Sequence, residues 1–205
     1  MGFNQMNLDP NMKHEITQAD IMPMTAYGDE RPERARQAAD IKKDRHMAVG
    51  PDATFYFESY DTMWFQVHEM LHIEKGGEEQ IADELAAYNP LIPKGRELVA
   101  TMMIEIEDDN RRTRVLAGLG GIEDTISINV GGERIPAVAE EDVDRTNAAG
   151  KASSVQFVHF PFTDQQVAVF RDPATRVVVE IGHPNYAHMA LVPGNIRAAL
   201  QGDFD

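Results

Sequence analysis

Cysteine is absent from all 205 residues. Disulfides, thiolate zinc sites, iron–sulfur ligation and cysteine nucleophiles are therefore excluded, and no iron–sulfur cluster is expected. Histidine and carboxylates must carry any metal chemistry, and such ligands suit iron or zinc. Long apolar runs are missing too, all of them falling short of the ~18–20 residues that a membrane span needs. The opening MGFNQMNLDPNMKHE has neither the basic start nor the apolar centre of a signal peptide, so the expected compartment is the cytoplasm. Positive charge is scarce: 19 Lys and Arg stand against 34 Asp and Glu, for a net charge of -15. That balance opposes nucleic-acid phosphates and anionic membrane surfaces, so neither is an expected partner.

What is present suffices for one core. With 42% hydrophobic residues, the chain can order roughly 150–190 residues as a single domain. Residues 1–16 are expected to be a disordered lead-in and 17–205 the domain, mainly helical over 17–90 and a sheet with helices packed on it over 91–205. The expected class is α+β, with a mixed α/β arrangement as the alternative. A homodimer is the commonest assembly for such a chain.

Thr17-Gln18-Ala19-Asp20 has the form of a capping box, and the charged stretch from Glu30 to His46 reads as a solvated helix. Ala53 to Glu58 is aromatic and short, as a strand should be. A helix from about Asp61 to Lys75 should stop at Gly76-Gly77, and another from Glu78 to Tyr88 at Pro90 and Pro93. Glu97 to Glu107 ends in strand-like alternation, Asp108-Asp109 starts a helix, and Gly120-Gly121 ends it. Gly131-Gly132 supplies the positive φ angles of a hairpin turn between Ile126–Val130 and Glu133–Val138. Ser153 to Phe160 and Arg176 to His183 read as strands, Thr163 caps a short helix between them, and a last helix covers about 195–201.

The motif that carries chemistry lies in QVHEMLHIEK, where His68-Glu69-Met70-Leu71-His72 spells H-E-x-x-H. Residues i and i+4 share a helix face with Cβ atoms about 5–6 Å apart, so two imidazoles can hold one zinc while the glutamate activates its water. His68 and His72 are the candidate ligands and Glu69 the candidate general base. The rest of a zincin is harder to find. Lys75 and Glu78 stand where the metzincin branch has its glycine and third histidine, and only Glu84 is placed as a third ligand. A competing reading treats the helix as core. Met63, Trp64, Phe65, Val67, Met70, Leu71 and Ile73 leave it almost no polar face, its histidines can donate to backbone carbonyls, and its acids can pair with the basic helix before it.

GPDATFYFE (50–58), QVHEMLHIEK, ADELAAYNPLIPKGRELVATMMIEI (82–106), SSVQFVHFPF (153–162) and GHPNY (182–186) together resemble an uncharacterised bacterial family, from Thr17 onward. It is catalogued as a domain of unknown function, and its members are often encoded beside rubrerythrin-like and iron–sulfur oxidoreductase-like proteins. The resemblance implies work near peroxide or iron handling. It also implies that the family pattern rests on Glu69-Met70, Glu74 and His183 to Tyr186 rather than on the two motif histidines.

In the C-terminal strands, Val155, Phe157 and His159 share one face, and so do Val177, Val179, Ile181 and His183. Residues 161–174 can form a crossover that would make these strands parallel neighbours with both histidines at their carboxyl ends. His159 and His183 then join His68 and His72 as candidate metal ligands, with Glu74, Glu84, Tyr186 and His188 as candidate binding residues. Three functions follow. The first is a histidine and carboxylate metal-binding accessory of oxidative-stress or redox metabolism. The second is a non-catalytic scaffold for a redox partner protein, and the third a zinc hydrolase using the motif.

Overall fold

The computed structural model of the chain describes residues 13–140 and 151–205. After a short 3-10 turn (Gln18–Asp20), α1 (Met24–Lys43) leads to strands β1 (His46–Val49) and β2 (Ala53–Phe57), then α2 (Tyr60–Glu74) and α3 (Glu78–Tyr88). There follow β3 (Glu97–Ile104), α4 (Asp109–Ala117), β4 (Ile126–Val130), β5 (Glu133–Pro136) and β6 (Val138–Ala139). The described C-terminal part holds β7 (Val155–Pro161), α5 (Asp164–Arg171), β8 (Val177–His183), β9 (Tyr186–Leu191) and α6 (Gly194–Leu200). The fold is α+β. No helix among the described residues is long and apolar enough to cross a membrane.

Two antiparallel sheets carry the architecture, one ordered β1-β2-β3-β7-β6 and the other β5-β4-β8-β9. Their facing surfaces make one core. Phe55, Phe57, Leu98, Ala100, Met102, Val158 and Phe160 of the first sheet meet Ile126, Ile128, Val130, Val177, Val179 and Ile181 of the second. The outer face of the first sheet is covered by helix. There Val99 and Phe157 pack with Met63, Val67 and Leu71 of α2 and with Leu91 and Ile92. Each fully buried aliphatic side chain contributes roughly 1.5–3 kcal/mol, so apolar burial dominates both layers.

Local signals place most elements where the sequence puts them. Ser59 accepts from the Thr62 N–H to start α2, and Thr163 does the same from Gln166 for α5. Gly131 and Gly132 hold φ of 62° and 96° in the β4–β5 turn. Lys75, however, takes the left-handed position that ends α2, with φ of 57°, one residue before the glycines expected to stop it.

Other expectations are corrected by long-range pairing. β7 and β8 are not parallel neighbours: β7 lies between β3 and β6, whereas β8 lies between β4 and β9 in the other sheet. The segment with α5 carries the chain from one sheet to the other. In β7, Val155, Phe157 and His159 do share a face, the one turned to the helical side, while Val158 and Phe160 enter the inter-sheet core. Both faces of this strand are covered, and both are apolar enough to serve. The part expected to be mainly helical contributes β1 besides the expected strand β2, and the end of the charged stretch, at His46, is already strand. Residues 13–16, expected in a disordered lead-in, are fastened: Ile16 is buried, and its backbone exchanges two hydrogen bonds with the Asn89 side chain. The rest of that lead-in, 1–12, lies outside the described residues.

Tyr186 joins the sheets. Its hydroxyl accepts from the Asp52 and Ala53 N–H groups at 2.8 Å each and donates to the Val49 carbonyl at 3.0 Å. All three lie in the β1–β2 turn, where Gly50, at φ of 80°, leaves room for the His188 ring. Tyr186→Phe strands three backbone groups and is expected to cost about 2–4 kcal/mol in urea unfolding. Tyr56→Phe, which removes an exposed hydroxyl bonded to Glu105, should cost about 0.5 kcal/mol or less. Equal losses in the two variants would contradict the role given to Tyr186.

Candidate functional site

The motif helix α2 presents one turn after another to the segment before it. Trp64 Nε1–H donates to the Asp20 carbonyl at 3.0 Å, and one turn later His68 Nε2 accepts from the Met22 N–H at 3.0 Å. His68 Nδ1 meets the Trp64 carbonyl at 2.7 Å. A carbonyl can only accept and an N–H can only donate, so the proton sits on Nδ1 and the lone pair on Nε2 is taken. No lone pair remains for a metal. The ring is fully buried, lies 3.8 Å from the Trp64 ring, and has its pKa lowered by burial, which favours the neutral form.

Glu69 points the other way, into α1. Its carboxylate takes a bidentate pair from Arg31, with both N···O distances 2.9 Å, and the Tyr27 hydroxyl at 2.7 Å. The Arg31 guanidinium holds this carboxyl below the usual range, while burial and then the bond to Glu69 push the Tyr27 hydroxyl up. A general base at neutral pH needs a pKa tuned upward, so Glu69 is set against that role. The acid does pair with the basic helix, and a motif histidine does bond a backbone carbonyl, as the core reading of the helix expects.

His72 is the motif residue left over. Among the described residues it makes no hydrogen bond; its ring packs edge-on against Tyr27 at 5.8 Å and lies against Gly28, where a Cβ would come within 3.3 Å. Its far side lines an open groove of about 670 Å³ between the 18–25 segment, the end of α2 and the start of α3. Ile21, Met22, Met24, Leu71 and Ile81 make the groove apolar, with Lys75 and Glu78 also lining it. Exposed Glu74, Glu79 and Asp83 stand on the same two helices.

The other candidates lie in separate neighbourhoods. His159 sits between Glu97, at 3.0 Å from Nδ1, and Glu140, at 3.1 Å from Nε2, and the hydrogen bond to Glu97 leads in raising its pKa. Both ring nitrogens serve these ion pairs. His183 Nδ1 accepts from the Asn185 N–H in the β8–β9 turn, and His188 packs on Tyr186 at 4.5 Å. Glu74 and Glu84 share the Gln80 amide, which ties α2 to α3. The four candidate metal ligands are thus not brought together: His68 and His72 lie on the helical layer, while His159 and His183 lie in different sheets. No group of three or more His, Asp or Glu side chains among the described residues is arranged to hold a metal ion.

Sequence reasoning missed Trp64, Tyr27 and Arg31 as the residues that spend the motif's polar groups. The only local signal was the basic character of α1. It also missed a second cavity, of about 390 Å³, on the opposite side of α2, lined by Glu58, Thr62 and Thr101 among others.

The two buried histidines have opposed linkage. His68 has a lowered pKa, so its contribution to stability is present above the ordinary value near 6.5 and is lost as pH falls. His159 has a raised pKa, so its contribution is complete below that value and is lost as pH rises through the folded pKa. Urea midpoints taken between about pH 5 and pH 8 should therefore fall less on the acid side in His68→Gln than in wild type, and more in His159→Gln. Identical pH slopes in both variants and wild type would contradict the assignment.

Comparisons with known proteins agree with the fold and add no chemistry. No curated protein matches the chain. A crystal structure of a novel protein of unknown function from Burkholderia pseudomallei K96243 is similar to it, at 35% identity and a TM-score of 0.85, over 93% of this chain and 99% of that one. Residues 15–204 match the family described as protein of unknown function (DUF3501). The chain belongs to that family.

Proposed function

We propose that the protein is a non-catalytic binding subunit that receives an apolar, basic segment of a partner protein in the groove beside α2. The observation that carries this reading is the use made of the motif. His68 and Glu69 are consumed in fixing the 18–31 segment onto α2, which builds one wall of an apolar groove and leaves His72 on its lining. Two methionines, Met22 and Met24, give that wall a surface able to adapt to its occupant. The charge of the occupant follows from its surroundings. Glu78 lines the groove beside Lys75, and the whole chain carries -15, so a partner with lysine or arginine beside its apolar residues is attracted and an acidic one repelled. An amphipathic helix laid into a groove is a common form of such recognition.

The partner class that suits this reading is a redox or iron-handling protein, as the resemblance implies. The metal-binding accessory and the zinc hydrolase are less well supported, because His68 has no free lone pair and Glu69 is held ionised by Arg31.

Fluorescence anisotropy of a labelled helical peptide with one leucine face and one lysine face tests the reading. Saturable binding that weakens with salt is expected, with Met24→Glu and Ile81→Asp each losing at least about tenfold, or ~1.4 kcal/mol, while retaining the wild-type melting transition. A peptide with the same apolar face and glutamates in place of lysines should not bind. Equal binding of the two peptides, or equal affinity in the groove variants, would overturn it.

A further inference from the structure

We infer that the second cavity is a binding site for a small organic cation, a protonated amine carried on an apolar body. The cavity lies between the outer face of the first sheet and α2, on the side of that helix away from the groove, and its volume is about 390 Å³. Small-molecule sites begin at roughly this size. Its one acid is Glu58, the residue that follows β2, and only 8% of Glu58 is exposed.

The surroundings of Glu58 define the ligand. Thr62 Oγ1–H donates to Oε2 at 2.7 Å and Thr101 Oγ1–H donates to Oε1 at 2.8 Å. A carboxylate offers about four lone-pair positions, so two are filled and two remain. Neither donor carries charge. Among the described residues Glu58 enters no ion pair, although two basic side chains also line the cavity. Arg45 directs its guanidinium to the Phe57 and Glu58 carbonyls and to Asp203. The Lys42 ammonium stands over the Phe65 ring, 5.7 Å from its centre. Both are engaged elsewhere, and a carboxylate withdrawn from water without a cation bears a large desolvation cost. A ligand ammonium would supply the missing charge and donate to the remaining lone pairs.

The rest of the lining suits the body of such a ligand. Met63, Leu91, Met103, Val155 and Phe157 form apolar walls, and the rings of Tyr56 and Tyr88 stand with them. Aromatic faces of this kind also attract cations. The arrangement therefore has one anionic point, fixed by two hydroxyls, within walls that exclude water from a hydrocarbon or aryl group. This inference does not rest on the groove, which is lined by other residues.

Isothermal titration with 2-phenylethylamine tests it, with 2-phenylethanol and phenylacetate as uncharged and anionic matches of similar size. Saturable binding of the amine is expected at concentrations up to about 10 mM, at least about tenfold tighter than that of the alcohol, with none for phenylacetate. Glu58→Gln should lose about tenfold for the amine and leave the alcohol unchanged. Met103→Trp fills the cavity without touching the charge and should abolish binding, which keeps the inference testable if Glu58→Gln does not fold. No saturable heat with the amine would overturn the inference. So would an amine no tighter than the alcohol, a tighter phenylacetate, or wild-type affinity in the filled-cavity variant.

Discussion

The His68 imidazole, fixed between the Trp64 carbonyl and the Met22 amide, is the interaction on which the helical layer depends. It joins residues 46 positions apart, and it does so from a fully buried ring that cannot turn to another partner without abandoning two hydrogen bonds. Buried polar groups left unpaired cost about 1–3 kcal/mol each, so loss of this ring would release both the 20–22 segment and the Trp64 carbonyl. Glu69 extends the same fastening one residue further round the helix, to Tyr27 and Arg31 of α1. Together they hold the start of the described chain against a helix that is itself packed on the first sheet. Two of the three side chains that a metallohydrolase would spend on zinc and water, His68 and Glu69, are here spent on tertiary structure.

That fastening sets what α2 can offer on each side. Toward α3, the fixed 18–25 segment makes a wall, and the space between becomes an apolar groove with Lys75 and Glu78 on its lining. Toward the sheet, Thr62, Met63 and Gln66 of the same helix border the smaller cavity around Glu58. One rigid helix thus separates two concave surfaces of different character, an open one suited to a protein segment and a smaller one suited to a small molecule. Neither depends on movement of the second sheet. Tyr186 holds that sheet to the β1–β2 turn through a hydroxyl whose three hydrogen bonds leave nothing for a ligand.

Features governed by neighbouring residues were legible in the sequence. α3, the capped α5 and the β4–β5 hairpin fall within a residue or two of their expected bounds, because capping side chains and turn glycines act over three or four positions. Features governed by distant partners were not. Nothing near His159 or His183 says that β7 will pair with β3 and β8 with β4, and a strand apolar on both faces gives no sign of which face enters the core. The motif is the sharpest case. The apolar residues around it pointed to core, and His68 is buried although Ile73 of the same helix is exposed, yet the donor that occupies its Nε2 is a backbone amide with no side-chain signature. Tyr186 was singled out by the family resemblance through His183 to Tyr186, and the partners of its hydroxyl are likewise main-chain groups, of another sheet.

His68 carries its proton on Nδ1 and has both ring nitrogens engaged by backbone groups. Long-range proton–nitrogen NMR correlation of the histidine rings reads tautomer and ligation together, and titration with about one equivalent of zinc adds the competing outcome. An Nδ1–H signature for His68 at neutral pH that stays unchanged through the titration is expected. A protonated Nε2, or nitrogen shifts of His68 and His72 that move together toward metal-bound values as zinc is added, would contradict it.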